Sequence, residues 1–89
     1  MTATPATVPA LWRLARLGFD PVRARPVLLY PEGAVLLNDT GRAVLELADG
    51  RRTVGEIAGI LGARYGADVL ADVIEYLDEL EQRELVRYG

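Results

Sequence analysis

Pro26-Val27-Leu28-Leu29-Tyr30-Pro31-Glu32-Gly33-Ala34-Val35-Leu36-Leu37-Asn38 decides the fold of this chain. Two short β-prone runs, 26–30 and 34–37, flank a Pro-Glu-Gly segment, which is the pattern of a hairpin. Pro31 presets one turn angle, and Gly33 tolerates a positive one. Alternation puts Val35 and Leu37 on one face of the second strand and Ala34 and Leu36 on the other, yet both faces are apolar. An apolar edge strand in a soluble protein needs a cover. A bound peptide added as an extra strand would supply one, and so would helix packing or a homodimer contact; the residues leave these open.

Working outward from the hairpin, all five prolines (Pro5, Pro9, Pro21, Pro26 and Pro31) fall in the first 31 residues. Proline breaks helix interiors, so the chain divides near Asn38 into an extended first part and a helical second part. Residues 1–9 read as a flexible leader ahead of a single domain over 10–89. Leu11 to Phe19 suits either a short strand or a helical turn. Downstream, Asn38-Asp39-Thr40 offers N-caps for a first helix over about 40–48, which Gly50 stops. Thr53-Val54-Gly55-Glu56 is a capping box that opens a second helix, with Val54, Ile57, Ala58, Leu61 and Tyr65 at core spacing and Gly66 at its end. Asp68 caps a third helix over about 69–83, and residues 84–88 form a short strand or a frayed tail. Strands followed by three helices make an α+β domain of winged-helix type.

The composition excludes most catalytic chemistry. The chain has no cysteine, histidine, serine or lysine, which removes the usual nucleophiles, the neutral-pH proton shuttle and the Schiff-base amine. It also leaves no soft or imidazole metal ligand, so neither a metal nor a cofactor is expected. The amino terminus lacks the charge and apolar run of a secretory signal, and no stretch is long and apolar enough for a membrane span, so the expected location is the cytoplasm. Net charge is −3, unevenly spread. Residues 1–25 sum to +3 through Arg13, Arg16, Arg23 and Arg25 against Asp20, whereas residues 67–89 sum to −5. That balance argues against nucleic acid as a partner.

Three further features stand out. In the third helix Tyr76, Val69, Leu80, Val73, Leu77, Leu70 and Ile74 sweep an arc of about 160°, wider than the ~100° one core requires, beside an acidic flank of Asp68, Asp72, Glu75, Asp78 and Glu79. The surplus is either internal packing or room for a partner. In the second helix Gly55, Gly59 and Gly62 line one flank, either to admit a close backbone or as plain composition. Trp12 reads as a packed aromatic at the domain edge rather than a nucleic-acid anchor.

Leu28 to Gly33, the Leu37-Asn38 that leads into the first helix, Asp49-Gly50, Thr53 to Glu56 and Asp72-Val73 together resemble the PqqD family, over about Leu11 to Val86. The resemblance implies a winged helix-turn-helix fold, with an N-terminal three-stranded antiparallel sheet followed by three α-helices. It implies a peptide chaperone, a recognition element for ribosomally made, modified peptides. The precursor peptide PqqA would lie along the third strand (Ala34, Val35, Leu36, Leu37, Asn38), in the groove made with the third helix (Val69, Asp72, Val73, Tyr76, Leu77, Leu80). It would be presented to the radical SAM enzyme PqqE in pyrroloquinoline quinone biosynthesis, with the chemistry left to that enzyme. Asp72 and Glu75 would orient basic residues of the leader. Some positions depart from the family pattern. Glu84-Leu85 stands where a glycine and an aromatic are common, Ala48 where a cysteine is common, and Pro26 where an aromatic often precedes the hairpin. The rival readings are a leader-binding domain of another modified-peptide pathway, a winged-helix DNA-binding regulator and a dimerisation module.

Overall fold

The computed structural model describes residues 2–89. Its elements run β1 (Pro9–Leu11), β2 (Arg16–Asp20), β3 (Arg25–Tyr30), β4 (Gly33–Leu36), α1 (Asp39–Leu47), α2 (Val54–Tyr65), α3 (Leu70–Gln82) and β5 (Val86–Tyr88). Strands β2-β3-β4 form a three-stranded antiparallel sheet, and β1 pairs with β5 in a second, two-stranded one. This is the expected α+β arrangement. Leu11 to Phe19 splits between the two sheets at a turn in which Ala15 N–H donates to the Trp12 carbonyl at 2.8 Å. Residues 84–88 supply β5 rather than a frayed end.

The hairpin closes one residue earlier than expected. Tyr30 pairs with Gly33 and Val27 with Leu36, so Pro31-Glu32 alone make the turn. Gly33 begins β4, and the positive φ angles belong to Ala24, Gly50, Gly66 and Glu84 instead. At the other end of the hairpin, Leu37 N–H donates to the Pro26 carbonyl at 2.8 Å. Proline has no N–H to return that bond. The Arg25 guanidinium fills the gap, donating from Nε at 3.2 Å and Nη2 at 3.0 Å to the Leu37 carbonyl.

Each helix starts and stops on local chemistry. Asn38 Oδ1 accepts Gly41 N–H at 2.7 Å at the head of α1. Both arms of the capping box form in α2, Thr53 N–H to Glu56 Oε1 at 2.9 Å and Glu56 N–H to Thr53 Oγ1 at 3.1 Å. Asp68 Oδ1 accepts Leu70 N–H at 3.1 Å at the head of α3. At its tail Leu85 N–H reaches the Leu80 carbonyl and Glu84 N–H the Glu81 carbonyl. That pair of bonds is a Schellman motif, with Glu84 in the left-handed position at φ 63°.

The helices cover one face of the larger sheet. Leu28 and Leu37 pack there with Val44 and Leu45 of α1, Ile57 and Leu61 of α2, and Val73, Leu77 and Leu80 of α3, closed below by Leu85 and Val86. The segment read as a leader lies, from residue 2 onward, against this core. Ala3 is buried and its N–H donates to Asp78 Oδ1 at 2.9 Å. Val54 N–H donates to the Thr7 carbonyl at 2.8 Å and Gly55 N–H to the Pro5 carbonyl at 2.9 Å. The physical reason is that the first N–H groups of α2 need acceptors from outside the helix, and residues 5–7 bring them. Gly55 admits the Pro5 carbonyl, which would stand 3.2 Å from a Cβ at that position.

Candidate functional site

β4 is an edge of the three-stranded sheet. Because Leu37 N–H points at β3, antiparallel alternation turns the N–H and C=O groups of Ala34 and Leu36 away from it, along the open edge. Side chains alternate across the sheet. Val35 is half-buried against the core and Leu37 belongs to it, whereas Ala34 is exposed and Leu36 is 42% exposed on the opposite face. Asn38 follows directly, exposed, and ties the end of this edge to α1.

Beyond Asn38 opens a cavity of about 210 Å³ between α1, α2 and α3. Val44, Leu61 and Val73 form its apolar floor; Val69, Tyr65 and Tyr76 stand around it, with Asn38, Thr40 and Asp72 as its polar lining. Tyr76 lies over the first turn of α1, where Gly41 makes room for it. A Cβ at Gly41 would fall 2.6 Å from the Tyr76 hydroxyl oxygen. Burial, reinforced by the charge of Glu79, raises the Tyr76 pKa above its ordinary value, so the phenol keeps its proton at neutral pH.

The strand and helix positions read from sequence therefore separate into two groups. Ala34, Leu36, Asn38, Val69, Asp72 and Tyr76 reach the edge or the cavity, with Val73 as floor and Val35 half-covered. Leu37, Leu77 and Leu80 are core residues that back the groove without lining it. Conversely Tyr65, expected in the core, is 45% exposed beside the cavity. Sequence reading missed Thr40, Gly41, Val44 and Leu61 as lining residues. The one cue was a glycine in the first turn of a helix, where its conformational cost calls for a reason.

The acidic run on α3 divides by role. Asp68 stands one residue before the N-cap, Val69, and accepts the Leu70 N–H. Asp78 Oδ1 accepts from Ala3 N–H and, at 2.6 Å, from the Tyr88 hydroxyl. Asp72 borders the cavity, whereas Glu75 lies with Ile74, Asp78 and Glu79 along a shallow groove on the outer side of the helix. The glycine flank of α2 likewise divides: Gly55 meets Pro5, a Cβ at Gly62 would approach the Ala67 carbonyl to 2.8 Å, and Gly59 faces open space. The Trp12 side chain packs against the core, and its backbone N–H donates to the Leu85 carbonyl at 2.9 Å. Among the described residues no cluster of carboxylates could hold a metal ion, and no helix is long and apolar enough to cross a membrane.

A sheet edge with outward-facing backbone groups, continued through a helix cap into an apolar cavity, defines a small α+β domain with an open groove between its sheet edge and its helices. The family described as coenzyme PQQ synthesis protein D (PqqD) matches residues 26–86, and the chain belongs to that family. It is 48% identical over 82 residues to the bifunctional coenzyme PQQ synthesis protein C/D of Methylorubrum extorquens, covering 89% of this chain but only 22% of that longer protein. It is 40% identical over 78 residues to the PqqA binding protein of Stutzerimonas stutzeri, covering 85% of each. The solution NMR structure of the PqqD truncation of Methylobacterium extorquens PqqCD, described as a functional, stand-alone recognition element for ribosomally synthesised, modified peptides, superposes with a TM-score of 0.78 at 47% identity. That match covers 90% of this chain and 88% of that one.

Proposed function

We propose that this protein binds the precursor peptide PqqA by strand addition at β4 and presents it to the radical SAM enzyme PqqE, itself performing no chemistry. The observation that carries the reading is the orientation of Ala34 and Leu36. Their main-chain groups point off the sheet edge, and Asn38 leads from that edge into the cavity. A peptide paired there gains main-chain hydrogen bonds from the edge and can seat one large apolar side chain on Val44, Val69 and Val73. Asp72 at the cavity then favours a basic residue near the seated one. The names of the relatives support PqqA as the peptide, and the work belongs in the cytoplasm, where ribosomal precursors are made.

Titration with PqqA, followed by amide NMR, is expected to shift Ala34, Leu36, Asn38, Val69, Asp72 and Tyr76. Leu36→Asp should weaken binding at least about tenfold while the exposed position leaves folding intact. Absence of any shift up to millimolar peptide, or shifts confined to the β1-β5 sheet, would refute strand addition at β4.

A further inference from the structure

Peptide addition covers the edge of β4 but leaves the outer face of the same sheet bare. The register aligns Gly18, Val27 and Leu36 in one row across this face, and Arg16, Leu29 and Ala34 in the next. Antiparallel sheets with one solvated face ordinarily carry polar residues there. Here these two rows are apolar except for Arg16, and charge is otherwise confined to the Asp20–Arg25 row at the end of the sheet. Val27 is buried yet stands outside the core cluster, which lies across the sheet from it. Gly18 keeps the surface flat, because a Cβ at that position would meet Leu29 Cδ1 at 2.8 Å. Beside Leu29 a shallow concavity of about 430 Å³ contains Leu14, 48% exposed, together with Arg13 and Arg16.

Charge identifies the occupant. Arg13 and Arg16 are exposed and make no ion pair among the described residues. Asp20, the acid carried by β2 on this face, is engaged by Arg23 at 3.0 Å. A second copy of the chain set face to face would bring arginine toward arginine, whereas an apolar surface rimmed with carboxylates on a different protein would be complementary. We infer that the outer face of β2-β3-β4 is a second docking surface, which takes an acidic-rimmed apolar patch on the enzyme that receives the peptide. This rests on the function proposed above. Strand addition runs in the plane of the sheet and side chains project perpendicular to it, so the peptide and the enzyme occupy the protein together.

The test measures the affinities of purified PqqE and of PqqA for the full chain, for Arg13→Glu/Arg16→Glu and for Leu29→Ser. Both variants are expected to weaken PqqE binding by about tenfold or more, the charge reversal with a loss of salt dependence, and to leave PqqA binding within about twofold. The charge reversal lies wholly on the surface and stays informative if Leu29→Ser unfolds. Unchanged PqqE affinity in the charge reversal overturns the inference. So does a parallel loss of PqqA affinity, or a wild-type dimer in sedimentation that the charge reversal splits or tightens. If the wild-type chain binds PqqA but not PqqE, presentation to the enzyme fails and this surface fails with it. If it binds both and only the variants are indifferent, the docking surface alone is refuted.

Discussion

On one flank of α3 Asp78 is engaged by the chain itself, through the Ala3 N–H and the Tyr88 hydroxyl. On the other, Val69, Asp72 and Tyr76 border a cavity that no other segment of the described residues fills. The two flanks carry the same kinds of residue, an acid beside half-buried apolar groups, and between them run Val73, Leu77 and Leu80, fully enclosed. What separates a closed flank from an open one is where the termini fold back. The amino-terminal segment and β5 close the first; the second stays open, and it is the one on which the proposed peptide site lies.

The largest effect that sharpens this contrast comes from the middle of the helix. Leu77 is 0% exposed, so Leu77→Ala should lower the unfolding free energy by about 2–5 kcal/mol in urea titrations. Peptide affinity of the fraction that stays folded should not change. A selective loss of peptide binding at full stability would mean that Leu77 lines the groove after all.

Next in size is the closed flank. Asp78→Ala removes the acceptor for two hydrogen bonds and should cost about 1–3 kcal/mol of stability, again with peptide affinity intact. The same contact has a signature in base. The Tyr88 pKa is raised from its ordinary 10.0, chiefly by burial, then by its hydrogen bond to Asp78 and the negative charges of Asp78 and Glu81. A group whose pKa is raised by folding contributes stability that is present below its unfolded pKa and lost as pH rises toward the folded one. The urea midpoint should therefore fall as pH climbs above 10.0, and less steeply in Tyr88→Phe. Tyr76, also raised, accounts for part of the slope that remains. Equal slopes in the two proteins would break the assignment to Tyr88.

Much of this architecture was legible in the sequence because it is written in short-range chemistry. The hairpin of residues 26–37, the capping box at Thr53-Glu56 and the stop at Gly66 each involve residues a few positions apart, whereas α1 ends at Ala48, two residues before the Gly50 expected to stop it. The arc on α3 was legible as an arc, but helical spacing cannot say which part of it faces the core. That is decided by α1 and α2, and it moved Leu77 and Leu80 inward while it left Tyr76 outside. Tyr65 fell to the same ambiguity in the opposite direction, since its spacing on α2 suits the core but the helix ends there, beyond the sheet. The packing of residues 2–8 was illegible for a different reason. It depends on hydrogen bonds from Ala3 to Asp78 and from α2 to Pro5 and Thr7, between residues nearly half the chain or more apart, with no pattern in the segment itself. Gly41 shows both limits at once, since it looks like a weak point in α1 until Tyr76 is brought against it from α3.

The smallest predicted effect lies at the end of the closed flank, where the chain leaves α3 for β5. Glu84 occupies the left-handed position of the Schellman motif at φ 63°, where glycine is the usual residue and where the resemblance to the family also leads one to expect it. A side chain in that conformation costs about 1–2 kcal/mol. Glycine avoids the clash but gives back about 0.5–1 kcal/mol through the greater freedom of the unfolded chain. Glu84→Gly should therefore stabilise the domain by about 0.5–1 kcal/mol, read as a rise in melting temperature, provided the Leu80–Leu85 hydrogen bond and the burial of both leucines are kept. Peptide affinity should be indifferent to the change, because the motif lies at the opposite end of α3 from Val69 and Asp72. A loss of stability would show that the Glu84 side chain makes a favourable contact that offsets its backbone strain, and the motif would then hold β5 in place by more than its two hydrogen bonds.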